Sequence, residues 1–323
     1  MTHSYPFDPT YGYTLDGLLS IQPPQAPADF AAFWQARYRQ ALGVDPALEL
    51  TRSANQRTGW RVWDCCYQST EGFAIGGWLL EPTERPATQA FLVGHGYGGI
   101  DQPDFPLPCA DAVYLMPCFR GIGRSRRAPI SEDPRWHVLH DIDQRDRYII
   151  GGCVQDLWIG ISALLARFPQ CEYHIGYMGI SFGAGIGALA LPWDQRIARA
   201  HLNVPTFGHQ PLRLQLPTLG SAAAHQRFQR HHGHLLETLA YYDAGSAARF
   251  IRQPVHVAAA LFDPYVAPPT QFAIHNALAG PKQLFVLATG HAENPARSAQ
   301  EHNLLDALRR FFCHHESGIS QLV

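Results

Sequence analysis

The chain is predicted to fold as an α/β protein, with a mostly parallel sheet and helices on both faces. Three observations carry this. Short apolar runs bounded by turn residues recur at 90–94, 112–116, 173–179, 198–204, 255–262 and 283–288, as strands buried on both faces would. Helical patterns lie between several of them; the stretch 154–168 puts Val154, Leu157, Trp158, Ile161, Leu164 and Leu165 on one face. Two strand-like runs, 60–67 and 73–80, precede the alternation and read as antiparallel.

Taken in order, residues 1 to about 26 are rich in proline and aromatics and read as an extended arm. Asp29 then stands where an N-cap belongs, ahead of an amphipathic helix through Phe33, Trp34, Tyr38 and Leu42. Residues 1–50 are thus an N-terminal helical arm. The segment from about 205 to 248 breaks the β–α rhythm with prolines, histidines and a helix near 235–242. It is expected to form a small cap over the carboxyl edge of the sheet. A last helix, 298–312, carries Leu304, Leu305, Leu308 and Phe311, with Ser298 placed to cap it. No repeat or low-complexity linker divides the chain, so 1–323 reads as one domain.

Composition narrows the function classes. With 46% hydrophobic and 16% charged residues, the chain can bury a large core. A formal net charge of −2 gives no electrostatic basis for binding nucleic acid or an anionic membrane. The first residues lack a basic start and an apolar h-region, and no apolar run is seen to approach the ~18 residues of a membrane span. A cytoplasmic location is expected. The 7 cysteines include no C-x-x-C pair, and Cys65 and Cys66 are neighbours that do not readily bridge each other, so reduced thiols are expected. His231, His232 and His234 have no cysteine or carboxylate at ligand spacing, so no metal is expected.

The chemistry centres on Gly179-Ile180-Ser181-Phe182-Gly183. An apolar, strand-like run precedes it and a small-residue, helix-like run follows, the setting in which G-x-S-x-G is a nucleophile elbow rather than a glycine-rich turn. A serine hydroxyl needs a base, and the base needs an orienting carboxylate. The predicted strand 255–262 ends in Asp263-Pro264, and 283–288 ends in Thr289-Gly290-His291. Nucleophile, acid and base therefore follow the chain order of the α/β-hydrolase fold: Ser181, Asp263, His291. Asp156 and Asp243, within predicted helical stretches, suit ion pairs or caps better. Oxyanion donors are expected from the backbone N–H of Phe182 and of Tyr97 in the glycine-rich His95-Gly96-Tyr97-Gly98-Gly99. The rings of Tyr97, Phe182 and Tyr265 are expected to crowd the acyl side and limit it to acetyl. Gly94-x-Gly96-x-x-Gly99 also matches a dinucleotide fingerprint, but three prolines follow where a helix should begin. No cofactor is expected.

At these motifs the chain resembles the acetyl xylan esterases and cephalosporin C deacetylases of carbohydrate esterase family 7. The likeness runs from Asp29-Phe30-x-x-Phe33-Trp34 through Gly77-Trp78-Leu79-Leu80, His95-Gly96-Tyr97-Gly98-Gly99 and Arg120-Gly121. It continues at Thr238-Leu239-Ala240-Tyr241-Tyr242-Asp243, Asp263, Pro268-Pro269, Ala279-Gly280-Pro281-Lys282 and Gly290-His291. The resemblance implies an α/β-hydrolase fold, deacetylation of sugar hydroxyls, and the same five site residues. Three signatures are only partly kept. R-G-Q is Arg120-Gly121-Ile122, G-x-S-Q-G has Phe182, and H-E is His291-Ala292, which marks a divergent branch. A homo-oligomer is implied as well, although 124–148 is shorter than the family's stretch that helps build a ring-shaped hexamer. General carboxylesterase and a silent, ligand-binding hydrolase fold are the alternative functions.

Overall fold

The computed structural model describes residues 3–104 and 106–313. Among these, one nine-stranded sheet runs in the order β1-β2-β3-β5-β4-β6-β7-β8-β9. β1 (Glu49–Arg52), β2 (Trp60–Gln68) and β3 (Ala74–Pro82) are antiparallel, and β3 meets β5 (Ala112–Pro117) in the same sense. From β5 onward, β4 (Gln89–Gly94), β6 (Ile175–Ile180), β7 (Ile197–Asn203), β8 (Val255–Ala260) and β9 (Lys282–Leu287) are all parallel. The predicted fold class is the observed one.

The helices, in chain order, are α1 (Leu15–Leu19), α2 (Phe30–Leu42), α3 (Pro134–His137), α4 (Ile149–Arg167), α5 (Phe182–Ala190), α6 (Gln210–Arg213), α7 (Ala222–His232), α8 (Leu235–Leu239), α9 (Ala244–Ala248), α10 (Pro268–Ala277) and α11 (Arg297–Cys313). The pleat divides the strand side chains between two cores. β4 sends Ala90 and Leu92 to the core shared with α2, α4, α5, α9 and α10, and Phe91 and Val93 to the one shared with α11. Both faces are therefore covered, which is why the parallel strands are apolar throughout.

Several sequence expectations are corrected. Asp29 makes no capping bond; its carboxylate accepts from the Tyr241 hydroxyl instead, a partner 212 residues away. Ser298 lies inside α11 rather than ahead of it. α4 is in fact long and apolar enough, by length and composition, to cross a membrane, but 83% of that window is buried inside the molecule. Its apolarity is accounted for by the sheet and the helices that surround it. The thiols are not all reduced: Cys109 and Cys313, 204 residues apart, form a disulfide that ties the end of α11 to the segment before β5. Nothing in their spacing foretells it, since only the fold brings them together. β1 and α10 had no counterpart in the sequence reading.

In the segment 205–248, α9 packs against α5 and α10 in the body. The loop between α6 and α7 bonds beside the acid, through Leu219 N–H to the Pro264 carbonyl (2.9 Å) and the Thr218 hydroxyl to the Tyr265 carbonyl (2.8 Å).

Candidate active site

Ser181 stands between β6 and α5 at φ 53° and ψ −109°. A residue with a side chain keeps such a conformation only when its surroundings hold it. Here its N–H donates to the Asn203 carbonyl (2.8 Å), and its own carbonyl accepts from Gly185 N–H (3.0 Å) and Thr206 N–H (3.2 Å). α5 leaves the elbow directly beneath the end of β4. A Cβ at Gly183 would overlap the Gly94 carbonyl, so only glycine permits that approach.

The loops after β8 and β9 bring Asp263 and His291 to Ser181. His291 Nδ1 lies 2.7 Å from Asp263 Oδ2, and its Nε2 lies 2.9 Å from Ser181 Oγ. Asp263 is wholly buried. Its Oδ1 accepts from the N–H groups of Tyr265 (2.9 Å) and Val266 (3.0 Å), and its Oδ2 also accepts from Gln271 Nε2 (3.1 Å). A carboxylate so supplied takes the Nδ1 proton as a hydrogen bond, which leaves Nε2 free to accept from the serine. Burial of the imidazole works to lower its pKa, but the charge of Asp263 and the bond to it together outweigh burial and hold it above the ordinary 6.5. A Cβ at Gly290 would strike the Asp263 carboxylate, so glycine must precede the base.

The amides of Tyr97 and Phe182 donate to no protein group among the described residues. The peptide joining Gly96 to Tyr97 is held by His95. Phe119 N–H donates to His95 Nε2 (3.0 Å), so Nδ1 carries the proton and donates to the Gly96 carbonyl (2.6 Å). In a trans peptide the N–H points opposite to its carbonyl, so fixing the Gly96 oxygen fixes the direction of the Tyr97 amide. A Cβ placed on Gly96 would sit 3.6 Å from Ser181 Cβ, which measures how closely this loop approaches the nucleophile.

Sequence reasoning missed four supports. His95 lies in a motif already singled out, so its signal was present. His137 Nε2 donates to the Arg120 carbonyl (2.9 Å), and its Nδ1 receives the Tyr97 hydroxyl (3.3 Å). Gln271 holds the acid. Gln300 of α11 accepts from Ala288 N–H (2.8 Å) and donates to the Thr289 carbonyl (3.1 Å), pinning the loop that carries His291. Both glutamines lie on helices whose polarity looks ordinary in sequence.

The expected aromatic crowding is rearranged. The Phe182 ring is fully buried, stacked 4.1 Å from Tyr97 and edge-on to Phe119, His137 and Phe207. Tyr265 lies on the opposite side, 5.9 Å from the His291 ring, at the edge of an open cleft of about 540 Å³. The other two departures from the signatures are apolar and buried: Ile122 lies beneath Gly99, and Ala292 lines the cleft. Asp156 forms a buried ion pair with Arg120 (2.6 Å), and Asp243 caps α9 through Ser246 N–H (2.8 Å). His234 pairs with Glu237. No group of three or more metal-ligating side chains occurs among the described residues. Nor does any helix begin among the described residues of 95–111, where the dinucleotide fingerprint requires one.

A family model described as acetyl xylan esterase (AXE1) matches residues 14–310. An acetyl xylan esterase from a Paenibacillus species superposes with a TM-score of 0.79 at 22% identity, over 91% of this chain and 99% of that one. Another, from a Thermoanaerobacterium species, gives 0.77 at 18% identity over 93% and 99%. An acylaminoacyl peptidase from Pyrococcus horikoshii gives 0.63 at 15% identity, over 81% of this chain and 43% of that one. At these identities the structural likeness shows the shared α/β-hydrolase fold.

Proposed function

We propose, on the premise that this chain belongs to the acetyl xylan esterase family, that it is a serine esterase removing acetyl groups from carbohydrate hydroxyls. That it is a carboxylic ester hydrolase follows from the family itself. The observation that carries the mechanism is the unbroken line from Asp263 through His291 to Ser181 at a strained elbow. His291 Nε2 takes the proton as Ser181 Oγ attacks the ester carbon, and the Asp263 carboxylate stabilises the imidazolium. The amides of Tyr97 and Phe182 receive the developing oxyanion, each worth roughly 3–4 kcal/mol of transition-state stabilisation. The imidazolium returns its proton to the leaving alkoxide, and the same groups then direct water to the acyl-enzyme.

Replacing Ser181 by Ala should leave the circular dichroism unchanged and cut nitrophenyl acetate hydrolysis by roughly 10⁴-fold or more. Near-normal turnover by the folded variant would refute the assignment. With the Tyr97–Phe182 stack filling the space behind the oxyanion donors, kcat/KM should fall along nitrophenyl esters from acetate to octanoate. An open apolar pocket would instead gain about 0.8 kcal/mol per methylene, and a rising series would point to a general carboxylesterase.

A further inference from the structure

The cleft beside His291 has a wall that comes from the far end of the chain. Tyr5 lines it, within a ring cluster in which Tyr5 and His3 lie 6.0 and 5.3 Å from Phe262, the residue before the acid. The same segment is tied to the acid itself: Asp263 N–H donates to the Pro9 carbonyl (3.1 Å). The Tyr11 hydroxyl donates to the Pro217 carbonyl (2.7 Å), in the loop that also bonds to Pro264 and Tyr265. The family match begins at residue 14, so this whole segment lies outside it.

We propose that residues 5–11 form part of the substrate site, and that Tyr5 selects a polyhydroxylated alcohol as the leaving group. The proposal rests on the serine-esterase reading. Its first support is position. The imidazolium must hand its proton to the leaving oxygen, so the alcohol lies on the His291 side of Ser181. The oxyanion donors are held after β4 and at the start of α5, whereas the cleft opens at the ends of β7 and β9 and along α11, on the side of His291.

Its second support is the chemistry of the walls. Tyr5 and Tyr265 offer aromatic faces. Between them α11 and the base loop present Arg297 with its partners Glu301 (2.8 Å) and Glu293 (3.4 Å), all well exposed. Asn203 also lines the cleft, and its buried Oδ1 has no partner among the described residues. A fatty alcohol would strip water from these charges without replacing its hydrogen bonds. A sugar or similar polyol lays C–H faces on the rings and offers hydroxyls to the charged groups. A cleft of about 540 Å³ lies within the usual range for small-molecule sites.

The test compares kcat/KM for a monoacetylated sugar with that for ethyl acetate, which shares the acyl group. In Tyr5→Ala the sugar-to-ethyl ratio should fall roughly 5- to 10-fold, mainly through KM, and Tyr5→Phe, which keeps the ring, should restore it. An unchanged ratio in Tyr5→Ala would overturn the proposal, as would equal losses on both esters, which would mean the arm acts only by holding Asp263. The wild-type ratio decides the carbohydrate reading separately. Hydrolysis of ethyl acetate without preference for the sugar would refute that reading, whereas a sugar preference untouched by Tyr5→Ala would refute only the role of the arm.

Discussion

Where the family signature has glutamine after the nucleophile, this chain has Phe182, and the exchange alters packing more than chemistry. The backbone amide is the proposed donor, and the ring closes an aromatic layer with Tyr97, Phe119, His137 and Phe207. Asp263 and His291 are the residues whose chemistry is most open to measurement. In the proposed mechanism His291 must be neutral to accept the serine proton, and its folded pKa is held above 6.5. Activity should therefore rise with pH along a limb whose midpoint lies above that value. Asp263→Asn removes the charge that raises the pKa and leaves the burial that lowers it. Its residual activity, cut by about 10⁴-fold, should titrate below 6.5. A kcat/KM profile whose midpoint does not move between the two proteins would mean that another group is the base.

Neighbouring strands carry a different pH response. β7 and β8 bring His201 and His256 together beneath α11, both buried, with their Nδ1 atoms 3.1 Å apart. Burial lowers both, to about 3 and about 4, with His256 further disfavouring charge on His201. Each is neutral in the fold but takes up a proton in the unfolded chain below about 6.5. Their contribution to stability is thus full above that pH and is lost as pH falls toward the folded values. The midpoint of urea unfolding should drop between pH 6.5 and 4, and a His201→Gln, His256→Gln variant should drop less over the same interval. Equal slopes would show that the pair does not contribute. Elements with strong periodicity were legible in sequence, including the six parallel strands, α4 and α11. β1 was not, because a short, largely exposed edge strand has no apolar pattern, and α10 was not, because it is buried nearly all round.

Two long-range ties, at Pro9 and at Cys313, close the described part of the molecule. At one, the arm lies against the acid loop; at the other, Cys313 joins α11 to Cys109. A covalent link across 204 residues removes much freedom from the unfolded chain. Reduction, or Cys313→Ser, should lower stability by about 2–5 kcal/mol in urea unfolding, and nitrophenyl acetate turnover should fall only where α11 loosens enough to free Gln300. Identical unfolding curves with and without reductant would show that the link is absent or adds nothing.

By itself the sequence determined the fold class, the elbow and the order of Ser181, Asp263 and His291, because these rest on local periodicity and on short motifs at strand ends. It also singled out the loops that carry the Tyr97 and Phe182 amides, the donors proposed for the oxyanion. What only the tertiary structure decided was which side each neighbour faces. Phe182 turned inward, Tyr265 went to the cleft beside His291, Asp29 found Tyr241, and Cys109 found Cys313. The supports of the site, His137, Gln271, Gln300 and the arm at Pro9, share the same physical reason. Each acts through hydrogen bonds to groups distant in the chain or on another element, and such bonds leave no period or spacing in the sequence.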